Sequence, residues 1–469
     1  MGTLVEQLVD FAKGVKYDKL PKDVVNESKR TLLDSLGCAL GGLSVDKGKI
    51  AVRAAHDMGG APEARVIGTG DTISMSAAAF ANGELINSLD YDVCTIPPGH
   101  ATPFILPAAM AVGEKNHVSG KDLICAIAIA HEISARFGPA MAYYRDVKPG
   151  EKISFPAISG YSSTIFGGVL GAGILAGMDK KKLAYAMGIA GHIAPAQAQT
   201  KWSRTPPASP SKYLMAGWIS QAELLALQLA EGGYTGDIEV LEGDFGFWRY
   251  MGSGKWNPDA LTNKLGIEWR SPAVTIYKPY PCCRIMHTIL DCTYHLIAEN
   301  KLQPDEIEEI ETYSDPHCAV LPLWLNKDIQ SALDAQMSVP YVISAAVNQI
   351  TIGPEWQDLE TTSDKKVIAF MDKVKVFPHS EFEKALLEDS RSRIGKVVIK
   401  ARGKKFTEER KYRKGSPANK ETYMTDAEVT AKFKHNAARV LPSEKIEAIP
   451  DKVLNLEKVK DVSELAKLW

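Results

Sequence analysis

Asp90, Asp92 and His100 share one short stretch, LDYDVCTIPPGHATPF (residues 89–104), with Cys94, a glycine and three prolines. Histidine exchanges a proton near neutral pH, and a neighbouring carboxylate sets its charge and tautomer. Two acids and one histidine on a proline-stiffened loop therefore make a general acid–base set. The same residues would also serve in a surface turn, with one Asp as a cap and the histidine in solvent. Pattern alone leaves the two readings level, and placement on a loop between apolar helices tilts toward function.

A second group is cationic. TKWSRTPPASPSKY carries Lys201, Arg204 and Lys212, and YKPYPCCRIMH carries Lys278, Arg284 and His287. Arginine grips a carboxylate with paired bonds and lysine holds it as a point charge. Scattered basic residues are usually solvated, but these lie among aromatics and prolines in low-charge surroundings, which favours carboxylate binding. Cys282, Cys283 and Cys292 do not read as a metal centre, because adjacent cysteines do not easily share one tetrahedral ion and no CxxC or HxxxH spacing accompanies them. No three- or four-cysteine set for an iron–sulfur cluster is visible. Gly171–Gly173 carries only part of a dinucleotide fingerprint, without a preceding strand, and reads as helix packing. Tyr161, Ser162 and Ser163 precede an apolar run and read as its N-terminal cap, or as groups facing a ligand there.

The elements that must position these groups are mostly helices. Pro21 opens a helix carrying Val25, Leu32, Leu33 and Leu36 on one stripe, and Gly41-Gly42 closes it. Further helices are expected over 74–88, 103–115, 120–137, 164–177, 181–193 and 211–230. Several are rich in Ala and Gly on every face, so the first half should be a bundle with close backbone approach. From Ser271 the chain turns β-rich in IEEIETYSD, KVKVFP and a hairpin around Gly403, with helices near 283–300 and 337–348 between them. Residues 425–442 read as amphipathic helix again, with Asp426 and Glu428 in the first turn.

The chain has 469 residues, too many for one core, with 45% apolar and 24% charged residues, an ordinary globular composition. A net charge of -2 leaves no electrostatic footprint for nucleic acid. Seven scattered cysteines and no visible signal peptide favour free thiols in the cytoplasm. The longest apolar run, 165–178, is shorter than the roughly 20 residues of a membrane span, so no membrane partner is expected.

Taken together, LLDSLGCALGG, ANGELINSLDYD…GHATPFILPAAMAVGE, TIFGGVLGAGILAGM, SKYLMAGWISQAELLALQLAEGGYTG, IYKPYPCCRIMH, DAQMSVPYVISAAV and DAEVTAKF resemble the MmgE/PrpD family in the right order along nearly the whole chain. The resemblance implies a mostly α protein: a large helical domain from both chain ends (1–268 and 423–469) and an inserted, smaller α+β lid (269–422). It further implies a homodimer without cofactor or metal. The family's catalytic aspartate falls on Asp90, its loop histidine on His100, and its two lysines on Lys212 and Lys278. Departures are Val93 for the family's second aspartate, Cys94 for the threonine after it, Ile158 for a second histidine and Met215 for another.

Family reactions share a carbanion next to a carboxylate, whose added charge fixed cations can stabilise. Lys212 and Lys278 take that role here, with Arg284 as a third cation. His100 carries the proton and Asp90 orients it, while Tyr161, Ser162 and Cys94 are expected around the substrate. The expected activity is a cofactor-independent lyase, foremost a hydro-lyase, on a small di- or tricarboxylate. An epimerase of an iminodisuccinate-like acid, a decarboxylase and a non-catalytic carboxylate-binding dimer are the alternatives.

Overall fold

The structure is a computed structural model and describes residues 2–141, 160–196, 201–212 and 214–469. It is mostly α. The first part runs α1 (Leu4–Gly14), α2 (Lys22–Gly42), α3 (Asp46–Met58), α4 (Met75–Asn87), α5 (Thr102–Lys115), α6 (Gly120–Ala140), α7 (Thr164–Leu175), α8 (Lys180–Ile193) and α9 (Ala216–Glu231). Local signals start several of them. Thr3 with Glu6, and Ser119 with Asp122, form reciprocal capping boxes, and Ser74 accepts from the Ala77 amide.

The helix expected over 211–230 begins only at Ala216. Lys212 stays outside it with φ 44°, a left-handed conformation incompatible with a helical turn. Helix α6 is longer than the run at 165–178. It meets the length and hydropathy of a membrane span, yet 94% of that window is buried inside the protein, as for a core helix.

Small residues set the bundle's geometry. A Cβ on Gly83 of α4 would lie 2.9 Å from Gly217 Cα of α9, and one on Gly217 would lie 2.2 Å from the Phe80 carbonyl oxygen. The two backbones therefore touch. The Glu84 carboxylate seals the crossing by accepting from the Gly217 amide at 2.9 Å. This crossing places the residues just after α4 beside the residues just before α9.

The second part contains α10 (His287–Asn300) and α11 (Val339–Val347), and the chain returns in α12 (Asp426–Ala437). Three short strands, β1 (Cys94–Thr95), β2 (Gly99–His100) and β3 (Thr275–Ile276), join antiparallel in the order β2-β1-β3. β4 (Ile307–Ser314), β5 (Val374–Pro378), β6 (Gly395–Ala401) and β7 (Lys404–Arg410) form a sheet in the order β5-β4-β6-β7. Its β4–β5 pair is parallel, with Ile310 opposite Val374, and the others are antiparallel. Helix α10 packs on β6 and β7.

Two hydrophobic cores result. One takes side chains from both chain ends, Val5 to Leu261 and Met424 to Trp469, together with Tyr277. The other runs from Tyr280 to Ala401, with Ala208. Residues Ser271–Val274 still pack on α2 and α6, so the chain leaves the first core later than the change in composition at Ser271 suggests.

Candidate active site

The loop after α4 and the segment after β3 meet through the small sheet. Cys94 pairs with His100 on one side and Ile276 on the other, which carries Lys278, two residues on, to the same place. The α4–α9 crossing brings Lys212 from the third direction. Asp90, Asp92, His100, Lys212 and Lys278 converge, each no more than 5% exposed.

Asp90 is the centre of the cations. Its Oδ1 accepts from Lys212 Nζ at 2.9 Å and its Oδ2 from Lys278 Nζ at 2.7 Å, while Lys278 also donates to the Asp90 carbonyl at 2.6 Å. Both Asp90 (φ 51°) and Lys212 (φ 44°) hold left-handed backbones, a cost of about 1–2 kcal/mol each that the ion pairs offset. Burial pushes the Asp90 carboxyl up, but Lys212, Lys278 and His100 outweigh it and hold it well below the usual carboxylate range. Burial lowers both lysines, with opposite outcomes. Lys278 is pulled above its ordinary value by Asp90, Cys94 and Asp92. Lys212 stays below its own, since burial and the charges of Lys47 and Lys278 outweigh Asp90.

The expectation that Asp90 orients His100 is corrected. His100 Nδ1 donates to Asp92 Oδ2 at 2.6 Å, whereas its Nε2 stands 3.6 Å from Asp90 Oδ1. The reason is occupancy: both Asp90 oxygens already face lysines, and Asp92 has no lysine contact of that kind. Asn87, unremarked in the sequence, donates to Asp92 Oδ1 at 3.2 Å and accepts from Lys47 at 3.1 Å. Its only sequence signal is a polar residue ending an otherwise buried helix. Burial would lower the imidazole, but Asp92 and Cys94 raise it to about 9, so His100 rests as an imidazolium.

Cys94 Sγ lies 3.9 Å from His100 Nδ1, and its thiol is held below the ordinary value because His100, Lys278 and Arg284 outweigh burial. Arg284 is buried in the turn before α10. Tyr161 is buried with its ring 6.3 Å from that of His100 and 5.7 Å from Phe104. Ser162 does not face the cluster's charges; its hydroxyl donates to the Pro195 carbonyl. Ser163 stands at the N-cap position of α7 but makes no side-chain capping bond there. Tyr161–Ser163 form a tight turn in which Ser163 donates to the Gly160 carbonyl at 2.7 Å. Arg204 is exposed, and His287 is occupied by the Cys282 carbonyl at 3.1 Å. Ile158 lies outside the described residues.

Residues of the second core close over the loop. Gln336 donates to the Ser88 carbonyl at 2.7 Å, and Gln357 to the Leu89 and Pro281 carbonyls at 2.8 and 2.9 Å. Among the described residues, no three His, Cys, Asp or Glu side chains converge as a metal site. What does converge is three cations, His100, Lys212 and Lys278, against two acids, Asp90 and Asp92. That set can hold an anion and hand a proton to it from Nε2.

The chain has relatives among known proteins along its whole length. The chain is 24% identical to the cis-aconitate decarboxylase of Aspergillus terreus, across 99% of this chain and 95% of that one. It is 25% identical to the cis-aconitate decarboxylase-like protein oryM of Aspergillus oryzae (100% and 97%) and 24% identical to the human cis-aconitate decarboxylase (99% and 94%). Residues 6–259 match the MmgE/PrpD N-terminal domain and residues 280–458 the MmgE/PrpD C-terminal domain, and the chain therefore belongs to the MmgE/PrpD family.

Proposed function

We propose that the protein is a lyase that decarboxylates a small, unsaturated tricarboxylate of the cis-aconitate kind. The observation that carries this reading is the short contact from His100 Nδ1 to Asp92 at 2.6 Å, which favours the charged imidazole, with Nε2 3.6 Å from Asp90 at the centre of the lysines. Decarboxylation asks for an acid. The bond to the departing carboxylate breaks, carbon dioxide leaves, and the electron pair moves onto carbon, delocalised toward an adjacent carboxylate. Lys212 and Lys278 would hold that carboxylate in a dry site, where fixed charge is most effective. The Nε2 proton of His100 then passes to the carbon, and solvent restores it.

The hydro-lyase favoured by sequence becomes the second reading. It needs a base for the first proton, and a charged histidine is a poor one. Lys212, whose pKa lies below that of an ordinary lysine, is the group that would supply it. The epimerase gains no support from the relatives, all three of which are named as decarboxylases or decarboxylase-like.

Incubation with cis-aconitate, citrate, methylcitrate and iminodisuccinate-like acids in D2O, followed by NMR, tests the reading. One deuterium per product together with carbon dioxide release is expected. Loss or gain of water without carbon dioxide would favour the hydro-lyase, and exchange without net reaction the epimerase. His100→Ala should remove turnover while leaving the thermal transition in place; an active His100→Ala enzyme would overturn the mechanism.

A further inference from the structure

Lys432 lies on α12, and the mechanism above makes no use of it. Its Nζ donates to Asp34 Oδ1 of α2 at 2.7 Å and to the backbone carbonyl of Tyr91 at 2.7 Å. The same ammonium stands 3.8 Å from the centroid of the Tyr91 ring. Lys432, Asp34 and Tyr91 are all buried, so this contact is poorly screened by salt.

Tyr91 is the single residue between Asp90 and Asp92. The carbonyl that Lys432 grips therefore belongs to the peptide joining Tyr91 to Asp92, the acid that holds His100. One residue earlier, Asp90 holds a left-handed backbone with φ 51°. The Tyr91 hydroxyl ties the other side of the residue down by donating to the Pro279 carbonyl at 3.1 Å, next to Lys278.

We propose that Lys432 is a positioning residue for the reaction: by holding the Tyr91 carbonyl it fixes the register of Asp90 and Asp92, and through Asp92 the orientation of His100. This inference rests on the proposed acid role of His100. Lys432 touches no reacting atom; it holds the loop that does, and small misplacements of such groups are costly to rate.

A purely structural ion pair with Asp34 is the competing account. Removing Lys432 alone would strand a buried carboxylate and confuse the two. The paired substitution Asp34→Asn with Lys432→Met removes both charges and the donor to Tyr91 together. The groups that face Lys432 include Asp34 and Cys38 from α2 and Tyr91 from the loop; those that face His100 include Asp90, Asp92, Cys94, Lys278 and Tyr161. Loss of one positive and one negative charge leaves the net charge near His100 unchanged, so its titration reports geometry.

The paired variant should keep a cooperative thermal transition. By NMR of labelled histidine, its His100 pKa should fall from about 9 toward 6.5. Its kcat should fall about 10–100-fold with KM little changed. Lys432→Arg, which keeps charge and donors, should retain both the pKa and kcat. A folded paired variant with unchanged His100 titration and kcat would overturn the inference, as would one that loses cooperative folding, since the role would then be structural. The titration needs no substrate. A wild-type protein that turns over none of the acids would sink the proposed function while the histidine titration still decides the role of Lys432.

Discussion

At the scale of single residues, the division of labour between two aspartates decides the chemistry. Asp90 is saturated by lysines and Asp92 is left for His100. Because the folded pKa of His100 lies above its ordinary 6.5, the stability this pair contributes is complete below about 6.5 and is lost as pH rises through about 9. The proton donor disappears over the same alkaline range. Asp92→Asn should therefore move the alkaline limb of the pH–rate profile from near 9 toward 6.5 and lower kcat at pH 8. Rates measured across pH 5 to 10 check this (approximate window for histidine titration); an unmoved limb would mean that His100 owes its acidity to another group. The choice between Asp90 and Asp92 was not legible in the sequence. Both precede the same prolines, and only partners more than a hundred residues away tell them apart.

At the scale of elements, the site depends on two helices touching. Lys212 reaches Asp90 because α4 and α9 cross at Gly83 and Gly217, without intervening side chains. Gly217→Ala would place a methyl 2.2 Å from the Phe80 carbonyl, a backbone atom that cannot swing aside. The helices must separate, at a cost of about 1–3 kcal/mol for overpacking. Lys212 is then drawn off Asp90, and kcat should fall about 10–100-fold. Gly14→Ala is the control: it is exposed with nothing within 4 Å of the added carbon, and its effect should stay within about 0.5 kcal/mol. Thermal unfolding and kcat for both variants test the idea, and wild-type values in Gly217→Ala would refute it. The Ala- and Gly-rich helices did announce close packing, since small residues on every face leave no other use. The two-residue strands that align Cys94, His100 and Ile276 were not legible, because pairing so short has no periodicity to read.

At the scale of the whole molecule, the first core is closed by both ends of the chain. A Cβ on Gly37 of α2 would lie 2.9 Å from Phe433 Cα of α12, so a helix from the C-terminal part of the chain seats directly on an N-terminal one. Arg30 of α2 binds Asp426 of α12 as well, with its guanidinium 4.7 Å from the Tyr277 ring. A chain ending at Met424 would expose this face of α2 and lose Val429, Phe433, Ile449 and Val453 from the core. Such a truncation should lose its cooperative thermal transition, which circular dichroism would show; a truncated protein with a near-native transition would contradict this. The amides of Gln336 and Gln357, beside the second core, hold the Ser88 and Leu89 carbonyls, so the loop that carries Asp90, Asp92 and His100 is gripped from both cores at once.

The sequence by itself determined most of the helices, the return of α12 and the family. Those properties are local: periodicity, caps, and residue types in order. The tertiary structure alone decided that Asp92 charges His100, that Lys212 sits outside its helix, that Ser162 faces Pro195 and that Lys432 reaches the loop. These depend on which groups the packed chain brings together around the loop. In a buried site such polar groups need partners, and only the tertiary fold settles which ones they find.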